Sequence, residues 1–184
     1  MTMLKHLGTE RLETSRLILR QFESKDAAAI FQNWASDPEV TRYLTWTAHE
    51  NPDVSKAILT DWLSNYSQQN YYQWAIVLKE NGQEPIGSIA VVALDDEIGK
   101  ATVGYCLGQN LWHQGIMSEA LKAVIDYLIT TVGFQRVDAY HDSRNPHSGD
   151  VMKKCGMQYE GTLRQSERNN QGICDACWYA ILSE

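Results

Sequence analysis

Positive charge is scarce in this chain: 16 Lys and Arg stand against 23 Asp and Glu over 184 residues, a net charge of -7. Broad nucleic-acid binding needs a basic footprint that displaces counterions from phosphates, so no nucleic-acid partner is expected. Long apolar runs are missing too. No stretch of about 18 apolar residues could cross a bilayer, and the segment Met1 to Gly8 lacks the apolar core of a secretory signal. No membrane partner is expected, and a cytoplasmic location is the default. Cysteine is sparse, and Cys106, Cys155, Cys174 and Cys177 are too scattered to suggest a disulfide framework. Cys174 and Cys177 form a Cys-x-x-Cys pair, but on a strand positions i and i+3 face opposite sides, which favours two packed small residues over zinc or redox chemistry. His113, His141 and His147 show no metal spacing either, and no metal is expected.

The nucleotide-binding glycine motifs are absent as well. A P-loop needs Gly-x-x-x-x-Gly-Lys-Ser/Thr and a dinucleotide fold needs Gly-x-Gly-x-x-Gly, and neither run occurs. What remains is a chain long enough to bury a substantial core in one domain over residues 1–184. Internal repeats and linkers are not evident.

Hydrophobic periodicity organises that domain. Arg16 to Phe22 reads as an opening strand, and Ser24 caps a helix to about Ala35 with Ala28, Phe31 and Trp34 on one face. Short helical segments follow at Asp37-Pro38 and Asn51-Pro52, the second carrying Ala57, Ile58, Asp61, Trp62 and Leu63 at helical spacing. Tyr72, Trp74, Ile76 and Leu78 then recur with period two, and Asn81-Gly82 supplies hairpin chemistry. Strands at Ile86–Val92 and Ala101–Leu107 complete an antiparallel meander. After it come a helix (Ser118 to about Val132), a strand (Arg136–His141), a helix (about Pro146 to Cys155) and strands near Tyr159–Ser166 and Cys174–Leu182. Strands first and βαβα later predict a mixed α/β sheet.

The join from Tyr105 to Glu119 is the most informative segment, a strand that becomes a helix through a loop with Gly115 at its turn. A helix start offers backbone N–H groups without intrahelical partners and about half a positive charge, a cradle suited to phosphate. Ala120, Leu121, Val124, Ile125, Leu128 and Ile129 form the apolar stripe of that helix, with Ser118 as candidate N-cap and Gly133 as its stop.

Trp112-His113-Gln114-Gly115-Ile116-Met117 resembles the acyl-CoA loop of GCN5-related N-acetyltransferases (GNAT), Gln/Arg-x-x-Gly-x-Gly/Ala, in the RimJ/RimL-like branch that begins with Trp. Met117 departs from the small last residue. The resemblance extends over nearly the whole chain. Thr14-Ser15-Arg16-Leu17-Ile18-Leu19-Arg20 is similar to the family's opening strand, and Trp34 to Val40 to its first helix end. Asn145-Pro146-His147-Ser148 and Lys154-Cys155-Gly156-Met157-Gln158-Tyr159-Glu160-Gly161 are similar to its Asn-x-x-Ser and Lys-x-Gly-Phe-x-x-Glu-Gly, and Asp175 and Tyr179 match its closing strand.

The resemblance implies a GNAT fold, a mixed and mostly antiparallel sheet splayed at the cofactor site and flanked by helices. It implies acetyl-CoA as co-substrate and a primary amine as acceptor, by preference a protein or peptide N-terminal α-amine. Small-molecule amines and polyamines, a longer acyl chain and a non-catalytic acyl-CoA-binding module stand as alternatives, and a homodimer is left open. The N–H near Leu107 is expected to face the thioester oxygen. The amides of Gln114, Gly115, Ile116, Met117 and Ser118 are expected to hold the pyrophosphate, with Gln109, Trp112, His113, Asn145 and Ser148 completing the cofactor contacts. Many relatives place a general-acid tyrosine seven residues after the Asn equivalent to Asn145, where this chain has Met152. The branch offers Ser148 instead as proton donor to the thiolate and Glu167 as base through water. Ser148 is equally a polar residue of a first helical turn, Glu167 a solvated carboxylate and Asn145 part of an Asn-Pro turn. Tyr43, Trp46 and Trp62 either line an acceptor cleft or belong to the core.

Overall fold

The computed structural model describes residues 4–80 and 82–184. Eight strands form one sheet: β1 (Leu12–Glu13), β2 (Leu17–Arg20), β3 (Gln73–Leu78), β4 (Pro85–Asp95), β5 (Lys100–Leu107), β6 (Arg136–Asp142), β7 (Gln158–Asn169) and β8 (Gly172–Leu182). Their order is β1-β2-β3-β4-β5-β6-β8-β7. Every neighbour pair is antiparallel except β5 and β6. The helices are α1 (Ala27–Ile30), α2 (Pro38–Thr41), α3 (Pro52–Asn65), α4 (Ile116–Asp126) and α5 (Pro146–Lys154). This is the expected mixed, mostly antiparallel α/β sheet. The meander β3-β4-β5 stands as the period-two pattern implied; Asn81 of its expected first turn lies outside the described residues.

Strand β3 divides the interior. Tyr72, Trp74, Ile76 and Leu78 point into the larger core with α4, while Ala75 packs with Phe22, Ile30, Trp34 and Leu59 into a second core under the N-terminal helices. All six residues of β3 are therefore buried. Each large side chain removed from water in this way contributes roughly 1.5–3 kcal/mol.

The N-terminal helices differ from their sequence pattern. In place of one helix from Ser24 to Ala35 there is a 3-10 turn (Ser24–Asp26), α1, and a π-helical turn (Phe31–Ala35). Ser24 does not cap it. Asp26 accepts the Glu23 N–H at 2.8 Å and an ion pair from Arg20 at 2.8 Å, an inward anchor that pulls Ala29, Ile30 and Trp34 to the core and leaves Ala28 exposed. In α3 the inward residues are Ser55 and Leu59, with Trp62, Leu63 and Tyr66 partly covered, so Ala57 and Ile58 face solvent. The Ser55 hydroxyl is satisfied by His49 Nδ1 at 2.7 Å, which lets a polar residue occupy a core-facing position.

Helix α4 begins two residues earlier than Ser118. Ile116 and Met117 lie one turn before Ala120 and Leu121 on the same stripe and are buried with them, so Gly115 rather than Ser118 is the N-cap. The helix continues through a π-helical turn (Tyr127–Val132) and ends at Gly133, as expected. Cys174 is buried while Cys177 meets the Thr162 hydroxyl at 3.2 Å; the two thiols serve separate surroundings.

Helix α5 packs on β6 at a point that tolerates no side chain. A Cβ on Gly149 would lie 2.5 Å from Nε2 of His141, which is itself buried and lacks a hydrogen-bond partner among the described residues. Gly149→Ala should therefore lower the unfolding free energy by about 1–3 kcal/mol through overpacking, read from denaturant midpoints. An unchanged midpoint would show that α5 is free to lift off β6.

Candidate active site

The parallel pairing of β5 with β6 lasts for three residues, Lys100, Ala101 and Thr102 against Arg136, Val137 and Asp138. Among the described residues, Val103 to Leu107 have no partner on β6. The opposite edge of β5 stays paired with β4 as far as Gly87 and Leu107, and Gly108 N–H donates to Ile86 C=O at 3.0 Å. Backbone groups alternate along a strand. With Gly108 turned toward β4, the N–H and C=O of Leu107 turn to the open edge. The sheet is thus splayed where a thioester arm is expected.

The loop leaving this edge is fastened at both ends. Trp112 Nε1 donates to Leu107 C=O at 2.8 Å, and Gln114 Nε2 donates to Asn110 C=O at 3.1 Å. His113 and Gly115 both have left-handed backbones, φ 62° and 73°. That geometry is strain-free for Gly115 and unusual for His113, and it turns successive peptides into the mouth of α4. The first bond at the helix start runs from Glu119 N–H to Gly115 C=O at 3.1 Å. The amides of Ile116, Met117 and Ser118 precede it and are the helix's unclaimed donors. Met117, the bulky departure from the family pattern, is 6% exposed with its side chain packed in the main core. The sequence gives it too much volume for the cradle, but the fold turns that volume inward.

Two sets of contacts that the sequence pattern does not show frame this loop. Glu119 accepts from the Thr14 hydroxyl (2.5 Å), the Ser15 hydroxyl (3.1 Å), Arg16 N–H (2.9 Å) and Arg16 Nε (2.6 Å), while Arg16 Nη1 donates to Gln114 C=O at 3.0 Å. Across the splay, Tyr105 of β5 reaches α5. Its hydroxyl donates to Ser148 C=O at 2.9 Å and receives the Ser148 hydroxyl at 3.1 Å. Burial pushes the Tyr105 phenol well above its ordinary range, so it stays protonated. Tyr105 shares the Val103–Leu107 side of β5 by simple alternation, the one signal that could have found it. Nothing local marks the Thr14–Arg16 contact, which spans more than a hundred residues.

The remaining expected residues fall as follows. Asn145 precedes α5, with its N–H on Asp142 C=O at 2.8 Å and its carboxamide without a partner among the described residues. His147 meets His113 edge to face, ring centroids 4.9 Å apart, joining the loop to the first turn of α5. Gln109 is exposed on the 3-10 turn Gln109–Leu111. Glu167 sits at a bulge of β7, with the Tyr140 hydroxyl 3.4 Å away. Met152 is buried in the core, so no titratable group stands at that position. A cleft of about 550 Å³, lined by Thr45, Arg168, Asn169, Asn170 and Gly172, begins one residue after Glu167 in the sequence. Tyr43 and Trp46 are half-buried near it in sequence, and Trp62 packs on the second core against Phe22, ring centroids 4.8 Å apart. Among the described residues, no cluster of three His, Cys, Asp or Glu is placed to bind a metal, and no helix is long and apolar enough to cross a membrane.

The Glu119 contacts carry a pH signature. Burial raises its pKa, but the hydrogen bonds from Thr14, Arg16 and Ser15 outweigh it and bring the carboxyl from 4.5 down to about 2. A depressed folded pKa gives stability that is complete above the unfolded value and is lost as pH falls toward the folded one. Unfolding free energy should therefore drop between pH 4.5 and about 2, and Glu119→Gln should flatten that part of the profile. Equal slopes for the two proteins would contradict the assignment.

Residues 16–158 match the acetyltransferase (GNAT) domain family. The chain is 36% identical over 178 residues to the uncharacterized N-acetyltransferase p20 of Bacillus licheniformis, covering 94% of this chain and 96% of that protein. It is 31% identical over 113 residues to the ribosomal-protein-serine acetyltransferase of Escherichia coli, covering 61% of this chain and 62% of that protein. Among solved structures, RimL, a ribosomal alpha-N-protein acetyltransferase in complex with coenzyme A, superposes with a TM-score of 0.83 at 20% identity, covering 95% of this chain and 98% of that one, a likeness of fold. The chain belongs to the GNAT family of N-acetyltransferases, and its homologues include ribosomal-protein acetyltransferases.

Proposed function

We propose that this N-acetyltransferase takes its acetyl group from acetyl-CoA and passes it directly to the N-terminal α-amine of a protein or peptide. The observation that carries the reading is the unpaired edge of β5 running straight into the donor-rich start of α4. An extended pantetheine arm would pair with that edge as a strand does, and the pyrophosphate would rest on the amides of Gln114 to Ser118. Gln109, Trp112, His113 and Asn145 are assigned to the same channel. The protein acceptor is favoured by the presence of a ribosomal-protein-serine acetyltransferase among its relatives.

In this reading the neutral amine attacks the thioester carbon, the new C–N bond forms and the carbonyl electron pair moves onto oxygen, held by Leu107 N–H. An unperturbed α-amine has a pKa of about 7.7–8.0, so a modest base suffices near neutrality. The proton lost by the amine passes through water to Glu167, whose carboxylate lies 3.4 Å from the Tyr140 hydroxyl at the bulge of β7. Collapse breaks the C–S bond, and the Ser148 hydroxyl turns from Tyr105 to give its proton to the thiolate as a water molecule returns one to the serine oxygen. Tyr105 acts as a positioning residue: its hydroxyl holds Ser148 from both ends of that residue, the carbonyl and the side chain.

A peptide and amine panel with detection of CoA thiol and of the acetylated product tests the reading. Transfer to peptide N-termini over polyamines and small amines is the expected result, and transfer confined to small amines would overturn the acceptor assignment. Ser148→Ala and Glu167→Gln should each lower kcat by about 10²-fold or more, as the loss of positioned acid–base groups does, with acetyl-CoA affinity nearly unchanged. Tyr105→Phe, which removes only the hydroxyl, should lower kcat by about tenfold and add little in combination with Ser148→Ala. Unchanged rates would remove these roles.

A further inference from the structure

The cradle loop carries no fixed cation of its own: Gly108 to Gly115 contain neither Lys nor Arg, in a chain whose net charge is -7. The helix start supplies about half a charge, less than a pyrophosphate bears. Arg16 stands where the deficit lies. Two of its three nitrogens are committed, Nε to Glu119 at 2.6 Å and Nη1 to Gln114 C=O at 3.0 Å. Its third, Nη2, makes no hydrogen bond among the described residues and lies 3.6 Å from where a Cβ on Gly115 would sit. The two committed bonds orient the planar fork, so the remaining N–H groups have a fixed direction rather than the freedom of a surface arginine. Glu119 offsets the charge of Arg16 but takes only its Nε, its other bonds coming from the Thr14 and Ser15 hydroxyls and the Arg16 amide, so the Nη2 edge keeps its donors.

We propose that Arg16 is a second element of the pyrophosphate site, an assignment that rests on the pyrophosphate lying in the α4 cradle. It holds the Gln114 peptide so that the following amides face the ligand, and it donates from Nη2 to a phosphate oxygen. Gly115, whose left-handed backbone (φ 73°) turns the chain into α4, brings the helix start within reach of that nitrogen. The opening strand is thereby coupled to cofactor binding, although its sequence reads only as sheet.

Calorimetric titration of the whole chain with CoA, 3′-dephospho-CoA and pantetheine separates this role from a structural one. Arg16→Met keeps the apolar stem and Arg16→Lys keeps a charge without the fork. Losing a charge-assisted contact to phosphate should weaken CoA and 3′-dephospho-CoA by the same factor, about ten- to hundredfold in Arg16→Met and less in Arg16→Lys. Pantetheine, which lacks the pyrophosphate and the 3′-phosphate, should bind wild type and variants alike. Unchanged CoA affinity, or equal losses for pantetheine and CoA, overturns the assignment; if Arg16→Met does not fold, Arg16→Lys gives the same comparison. A wild-type protein that binds no CoA overturns the cradle reading instead, before Arg16 is at issue.

Discussion

The short parallel contact between β5 and β6 is the constraint on which the site depends. If the two strands stayed paired to their ends, Leu107 N–H would be consumed in the ladder and no channel would exist. Two features stop the pairing where it stops. The Thr102 hydroxyl donates to Asp138 at 2.6 Å in the buried last pair, and Arg136 holds the same carboxylate at 3.0 Å, so the join is pinned there. On the other side of β5, the β4 register shifts between Val91 and Ala93, opposite Val103 and Thr102. A bulge adds twist and bends its strand. Val92, left over by the bulge, closes on Gly104, where a Cβ would lie 3.1 Å from Val92 Cγ1. The bend therefore falls where pairing with β6 ends.

Downstream of the bend, the site is assembled by long-range polar contacts around a conventional apolar frame. The stripe of α4 and the inward side of β3 fix the helix against the sheet, and burial of Ile116 and Met117 sets where its first turn begins. Trp112 then fastens the loop to the end of β5, Arg16 fastens the opening strand to the loop, and Tyr105 fastens β5 to α5. The apolar contacts determine the position of the cradle, whereas the polar ones determine its orientation.

Most of the frame was legible in the sequence because it rests on local periodicity. The β3-β4-β5 meander, α4 with its stop at Gly133, and α5 after Asn145-Pro146 all follow from spacing and turn chemistry. The errors have specific causes. A serine satisfied by His49 faces inward in α3, which shifts its apparent stripe, and the Arg20–Asp26 anchor breaks the first helix into three kinds of turn. Ser118 looked like a cap because the stripe was counted from Ala120, one turn too late. For the site, the family resemblance supplied the loop and the candidates Ser148, Glu167 and Asn145. Tyr105 and Arg16 escaped because their partners are distant in sequence, and the inward direction of the Met117 side chain was not legible because it is set by tertiary packing.

The most direct test of this account is a backbone amide NMR titration with CoA. Large shifts at Leu107, at Gln114 to Ser118 and on the open edge of β5, with small changes along the β4-paired groups, are the expected result. Shifts that leave Leu107 and the start of α4 unmoved while clustering elsewhere on the sheet would contradict it.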